Sequence, residues 1–297
     1  MKEKELIKII TSTLNSKYIG DDCAYLSDLG IVVTQDSLVE DVHFKLDFTT
    51  PYQLGYKSAM VNISDVCASG AEPKYLTIAL SMQNYIDENF VKEFYEGAKE
   101  ACRNVEIVGG DLTGSDKIYI SVTAIGSTKG RKISARSNAK AGYKIIVSGE
   151  HGNSAKGLQL LLKNENKPEK FINAHLMPVA QREFSRRIAE SINCDYAMMD
   201  TSDGLADALM QIAQQSGVTI CIETSKIPHD PDVDMNTVLY GGEDYHLVAA
   251  VPEDIAEKLA YPIIGEVKKG KTGIELDGKF CSNIDDKLYN HFEVKNE

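Results

Sequence analysis

The stretch YAMMDTSDGLADALMQIAQQSG, residues 196–217, divides into three parts. Tyr196 to Met199 is a short apolar run, Asp200-Thr201-Ser202-Asp203-Gly204 is an acidic loop, and Leu205 to Ser216 keeps apolar residues on helical spacing up to Gly217. The spacing predicts a strand, a loop and a helix stopped by glycine. One side chain of the loop suffices to cap that helix, which leaves a second carboxylate and a hydroxyl for a metal or a nucleotide.

Aspartates recur in this setting far along the chain, in Gly20-Asp21-Asp22, Gln35-Asp36-Ser37, Ser64-Asp65 and Gly109-Gly110-Asp111. Each cluster alone reads equally well as turn or cap chemistry. Carboxylates folded together repel and take up protons unless cations hold them charged. Mg²⁺ is the usual cation, bound through a few carboxylate oxygens, waters and the oxygens of a substrate phosphate. Clusters at the ends of apolar runs therefore point to nucleotide-phosphate chemistry.

The formal net charge of −12 on 297 residues argues against nucleic acid or an anionic membrane as partner, so an anionic substrate needs metal to enter. The six cysteines contain no Cys-x-x-Cys pair, no apolar run reaches membrane-spanning length, and MKEKELIKII reads as a short amphipathic helix rather than a signal peptide. A cytoplasmic protein with reduced thiols is the expectation.

Working outward, Ile31 to Thr34 and Leu76 to Met82 read as strands, and 51–70 and Glu88 to Cys102 as helices. Ile107-Val108 and Ile118 to Ile125 flank Thr113-Gly114-Ser115-Asp116, a hairpin signal. Beyond the basic segment 134–142, strands at Lys144 to Ser148, Val218 to Ile222 and Tyr245 to Val251 alternate with helices at Ser154 to Leu162 and Pro178 to Ile192. An α+β half followed by an α/β half is expected, divided into 1–137 and 138–297.

Gly149-Glu150-His151-Gly152-Asn153-Ser154 joins a strand to a helix, a setting that favours an anion, but it lacks a Walker lysine and reads as a plain turn. Gly241-Gly242-Glu243-Asp244 precedes a strand with two acids, and His43 between Val42 and Phe44 reads as a structural histidine. No Ser-His-Asp order, cysteine nucleophile or His-Glu-x-x-His helix stands out. Phosphoryl transfer to an acceptor that is already anionic fits such a site, because it needs positioning and charge neutralisation rather than a general base.

Taken in order, IGDDCAYL, QDSLVEDVHF, NISDVCASGAEP, VGGDLTG, SGEHGNSAKG, MDTSDGLADAL, YGGEDYHL and the terminal YNHF closely resemble the thiamine-monophosphate kinase family. That family belongs to the aminoimidazole-ribonucleotide-synthetase-like superfamily, and the resemblance runs from about residue 19 to 292. It implies the superfamily's two-domain fold: an N-terminal α+β domain that binds ATP and Mg²⁺ and pairs with its copy in a homodimer, and a C-terminal α/β domain completing the substrate site. It implies ATP-dependent phosphorylation of thiamine monophosphate to thiamine diphosphate, the last step in making that cofactor, with several Mg²⁺ ions.

By the same resemblance, Asp22, Thr34, Gln35, Asp36, Asp65, Asp111, Asp200 and Asp203 are the metal ligands. Tyr95, Gly110, Asp111, Arg136 and Ser202 are ATP contacts, and His43, Glu243 and Tyr289 contact the thiamine phosphate. No residue is assigned as general base. The chain departs from the family's pattern at Gln35 and Leu112, where threonine is usual, at Asp41, where glycine is common, and around Leu176 to Arg182. Sister readings are the synthetase itself, a selenophosphate synthetase and the hydrogenase-maturation carbamoyl dehydratase; a nucleotide or thiamine-phosphate sensor without turnover is the non-enzymatic one.

Overall fold

The structure is a computed structural model and describes residues 3–289, so Asn290-His291-Phe292 of the terminal motif lies outside the described residues. The first half runs α1 (Glu3–Leu14), β1 (Ala24–Leu26), β2 (Ile31–Val39), α2 (Pro51–Ala68), β3 (Glu72–Met82), α3 (Glu88–Ala101), β4 (Glu106–Gly114) and β5 (Tyr119–Ser127). Its sheet has the order β1-β2-β5-β3-β4, with β4 parallel to β3 and the remaining pairs antiparallel.

That order overturns the hairpin expected around Thr113 to Asp116: β4 and β5 are not neighbours. The β3-α3-β4 crossover delivers β4 parallel to β3. β5, with Ile120, Val122 and Ala124 buried, takes the centre, and the exposed strand holding Gly109 and Gly110 takes the edge. Gly109-Gly110-Asp111 is thus inside a strand rather than a turn after one.

The helix α2 opens with Thr50 and Gln53 in a reciprocal capping box and Pro51 in its first turn, and it is buried over nearly its whole length. Its burial has two causes. On one side α3 crosses so closely that a Cβ on Gly55 would stand 1.8 Å from the Phe94 carbonyl oxygen, and one on Gly97 1.8 Å from that of Tyr52. On the others lie the first sheet and β7 of the second.

The second half runs β6 (Lys144–Val147), α4 (Asn153–Leu161), α5 (Glu169–Leu176), α6 (Arg182–Ser191), β7 (Ala197–Asp200), α7 (Leu205–Ser216), β8 (Thr219–Ile222), α8 (Met235–Tyr240), β9 (Leu247–Val251), α9 (Glu253–Leu259), β10 (Ile263–Lys268), β11 (Gly273–Leu276) and β12 (Lys279–Cys281). The sheet order is β12-β11-β8-β10-β6-β9-β7, and only β8 and β11 pair in parallel. The helix expected from Pro178 begins at Arg182, whose guanidinium donates to the Ala101 and Arg103 carbonyls at the end of α3.

Alternation along the strands of the second sheet feeds two cores. Ile146, Met198, Leu247, Ala249 and Val251 pack toward α2, while Ile145, Val147, Met199, Val248 and Ala250 pack with Leu205, Leu209 and Ile212 of α7. Covered on both faces, these strands read as unbroken apolar runs. The helix α2 is therefore shared by both halves, which makes it the element that fixes the site.

Candidate functional site

Strand β2 turns Val32, Thr34, Asp36 and Leu38 toward α2, and β7 ends on Asp200 beneath the same helix. Asp22 enters from the loop before β1. Asp22, Asp65 and Asp200 each offer a carboxylate oxygen, all within 4.8 Å of one another. Short bonds fix them: Thr34 Oγ1 donates to Asp65 Oδ2 at 2.7 Å and Ser64 Oγ to Asp200 Oδ2 at 2.7 Å. The backbone N–H of Asp36 donates to Asn62 Oδ1 at 2.9 Å.

Arg136 closes one side, its guanidinium donating to Asp22 Oδ1 at 3.0 Å and its backbone N–H to Asp21 Oδ1 at 2.7 Å. One guanidinium does not balance the set. Burial, and then the neighbouring Asp22, push Asp36 up to about 6 and Asp200 up to about 7; burial and three neighbouring aspartates raise Asp65 well above the usual carboxylate range. Oxygen-only donors converging without enough positive charge fit a hard divalent cation such as Mg²⁺. A cavity of about 260 Å³ opens beside Asp22, lined by Lys17, Tyr18, Asp21 and Ser134 among others.

A second charged group lies further back along α2. Lys57 Nζ stands 3.2 Å from Glu243 Oε1, and His175 Nδ1 stands 3.3 Å from Oε2. Burial pushes the Glu243 carboxyl up, but Lys57, His175 and His43 together hold it below its usual range. Burial and then Lys57 push His175 down to about 4, so it is neutral at pH 7, with Nδ1 beside the carboxylate. His43 accepts the Val39 N–H on Nδ1 at 2.9 Å, which fixes its proton on Nε2.

The two groups are linked through the loop ahead of β9. The Glu243 N–H donates to the Ser202 carbonyl at 2.6 Å, and the Ser202 N–H lies 3.4 Å from Asp200 Oδ1. Glu243 and Tyr245 both hold left-handed backbone, with φ of 64° and 53°, so the chain twists on either side of Asp244. The Asp244 carboxylate turns the other way and accepts the N–H groups of Gly152 and Ser154. The start of α4, where an anion was conceivable, is thus filled by the protein's own carboxylate, and the segment is the plain turn expected.

Several expected residues stand elsewhere. Gln35 points to the opposite face of the first sheet, bonded to Thr123, because alternation gives it the reverse side from Thr34 and Asp36. Asp36 aligns across the sheet with Val122, Ile78 and Gly110, so Asp111 belongs with Ser37 on that same outer face. Three strand spacings, roughly 14 Å, also separate it from Asp36. Gly110 has a packing reason for being glycine, since a Cβ there would meet the Ile78 carbonyl oxygen at 1.8 Å.

Tyr95 packs edge-on against Phe94 on α3, and Tyr289 is exposed near the end of the described residues. Asp203 is exposed on the loop after β7, outside the three-carboxylate set. The expected side-chain cap on α7 is absent: its cap position is Gly204, and Asp200 is turned to Ser64 instead. Asp41 has φ of 66°, the left-handed backbone that makes glycine common there, and its carboxylate is held by Lys117 at 2.8 Å. Lys57, Asn62, Ser64 and His175 were not anticipated. Lys57 and Asn62 stand eight and three residues before Asp65 on α2, a helical spacing that is readable in the sequence, and Ser64 is its chain neighbour; His175 carries no such signal.

Residues 20–128 match the family described as AIR synthase related protein, N-terminal domain. The thiamine-monophosphate kinase of Aquifex aeolicus is 37% identical, with 97% of each chain covered. That of Bacillus subtilis is 36% identical over 93% of each. The solved structure described as AaThiL complexed with AMPPCP and TMP superposes with a TM-score of 0.89 at 35% identity, covering 98% of this chain and 97% of the other. HypE structures share the fold at 21% identity with a TM-score of 0.69. With the carboxylate cluster in place and relatives matched over nearly their full length, the chain belongs to the thiamine-monophosphate kinase family.

Proposed function

We propose that the protein transfers the γ-phosphoryl group of ATP to thiamine monophosphate, giving thiamine diphosphate and ADP, the final step in making that cofactor. The observation that carries this reading is a site with two unlike ends on one helix. Lys57 and Ser64 are seven residues apart on one face of α2, about 10 Å along its axis. Ser64 serves the carboxylates that lack cations, and Lys57 serves Glu243, an anion near His43. A substrate with a phosphate at one end and a cationic ring system at the other suits such a pair.

Asp22, Asp36, Asp65 and Asp200, with Thr34 orienting Asp65, would hold Mg²⁺, which when bound supplies charge neutralisation for phosphate oxygens. Arg136 carries a fixed positive charge, because Asp22 and Asp21 more than offset its burial, and its planar fork suits an ATP phosphate. Asp203 and Ser202 continue the same edge. Glu243 faces the cationic end of the substrate with His43 beside it, and Tyr289 closes over a ring. The attacking phosphate oxygen is already anionic, so no side chain serves as general base.

The outer face of the first sheet bears Gln35, Asp111 and Thr123 together with Tyr75 and Val108 exposed. We take it as the contact between copies of a homodimer. In this reading Gln35, Gly110 and Asp111 serve metal or ATP in the dimer rather than within one chain. Residues 1–137 then form the ATP, Mg²⁺ and dimerisation domain, and 138–297 completes the substrate site. All six cysteines are free and no helix among the described residues is long and apolar enough to cross a membrane, which suits the cytoplasm.

The test is a turnover assay with ATP, Mg²⁺ and thiamine monophosphate that follows thiamine diphosphate directly, with unphosphorylated thiamine run in parallel. Mg²⁺-dependent product from the monophosphate alone is the expected result. Tight binding of both substrates without turnover would establish the sensor instead.

A further inference from the structure

We infer that Lys57 is a positioning residue for the thiamine end of the substrate, acting through Glu243; this rests on the function proposed above. Its side chain is 2% exposed, so it does not touch a ligand, whereas that of Glu243 is 27% exposed and does face the site. A buried ammonium is retained only where a partner compensates it. Glu243 is the partner the structure gives Lys57, at 3.2 Å, and it comes from the other half of the chain.

The arrangement leaves Glu243 little freedom. Lys57 holds Oε1, His175 holds Oε2, and the backbone N–H is fixed on Ser202. His175 is itself set by Ser154 Oγ at 3.2 Å from Nδ1, on the first turn of α4. Two groups from two sides thus aim one carboxylate, while its exposed edge stays open to a cation. Because Lys57 shares a face of α2 with Ser64, the aim of Glu243 is set relative to the Asp200 carboxylate by a rigid helix.

The experiment measures KM for thiamine monophosphate and for ATP in wild type, Lys57→Met, Lys57→Arg, His175→Gln, Glu243→Gln and the Lys57→Met/Glu243→Gln pair, each checked for a cooperative melt. Lys57→Met is expected to raise KM for thiamine monophosphate about tenfold, the loss of one charge-assisted contact's worth of aim, with KM for ATP within about twofold. Lys57→Arg restores most of the loss, and Lys57→Met adds nothing further once Glu243 is Gln.

An unchanged KM for thiamine monophosphate in folded Lys57→Met, equal shifts for both substrates, or full additivity with Glu243→Gln overturns the inference. Should Lys57→Met fail to fold, His175→Gln carries the same test from the other oxygen: a selective rise supports the inference and no rise overturns it. Wild-type protein that turns over no thiamine monophosphate defeats the functional reading and this inference together, whereas an active wild type with unmoved variants defeats the inference alone.

Discussion

The two ends of one face of α2 serve opposite electrostatic designs. Around Asp65 and Ser64, Asp22, Asp36, Asp65 and Asp200 crowd with Arg136 the cation paired to them among the described residues, and the carboxyls of Asp36, Asp65 and Asp200 rise toward neutrality. Around Lys57, one carboxylate meets one ammonium and a neutral imidazole, and it stays ionised. A buried charge that is already paired is part of the structure, while one that lacks a partner waits for a ligand. The cluster that costs the protein stability by itself is therefore the one that does the chemistry.

The largest effect that separates the two ends is expected from Asp65→Asn. Turnover should fall on the order of 10³-fold, since a central carboxylate of the metal set is lost. The metal-free protein should melt at the same temperature or higher, because one of the mutually repelling groups has become neutral while the bond from Thr34 Oγ1 can persist. A melt lowered by several degrees would place Asp65 among the structural residues and erase the contrast.

The other end should respond in reverse. Glu243→Gln leaves the Lys57 ammonium buried without its counter-charge, a change that costs about 3 kcal/mol of stability. Urea denaturation without metal measures this, and removing Lys57 in the same protein should recover much of it. A Glu243→Gln protein as stable as wild type would mean that water reaches Lys57 and that the pair is not a buried one.

Proton linkage sharpens the contrast further. Asp36 and Asp200 have pKa values of about 6 and about 7 against an ordinary 3.8, so between those limits the folded metal-free protein binds more protons than the unfolded chain, and stability falls as pH rises. His175 and His246 are held down to about 4 by burial against an ordinary 6.5, so between pH 4 and 6.5 the unfolded chain binds the extra protons and stability falls as pH drops. The slopes oppose below pH 6.5; above it the carboxylates alone remain. Melting temperature without metal should thus decline from pH 6.5 to 7.5, and Mg²⁺ should abolish or invert the decline, since binding expels the shared protons. A flat metal-free profile that Mg²⁺ leaves unchanged would break the comparison.

Much of the cation-hungry end is legible in the sequence, and little of the paired end is. Asp22 precedes β1, Asp65 lies in the last turn of α2 and Asp200 ends β7, while Asp36 falls inside β2, which runs past the Thr34 expected as its end; α7 spans the residues that its glycine stop predicts. The family resemblance groups Thr34 and Gln35 as ligands, whereas period-two alternation places neighbours on opposite faces, so their separation is readable from β2 alone. The position of β4 was not, because strand partners are chosen by the whole sheet: the turn at Thr113 to Asp116 looks local, and the crossover through α3 decides. Lys57 reads as an ordinary helix lysine until Glu243, 186 residues later, folds against it. Long-range compensation of charge leaves no local mark.

The smallest effect on the fold, and the finest test of where the functional end stops, belongs to Asp111→Asn. Asp111 is exposed on the edge strand β4, on the sheet face opposite to Asp36, so its replacement should shift stability by no more than about 0.5 kcal/mol. If the outer face is closed by a second copy, turnover should still fall, by roughly tenfold, and sedimentation should show a dimer in both wild type and variant. Loss of turnover with the dimer intact assigns Asp111 to a site that the assembly completes, extending the carboxylate design across the sheet. Full turnover confines that design to the inner face, to the four aspartates that α2, β2, β7 and the loop before β1 bring together in a single chain.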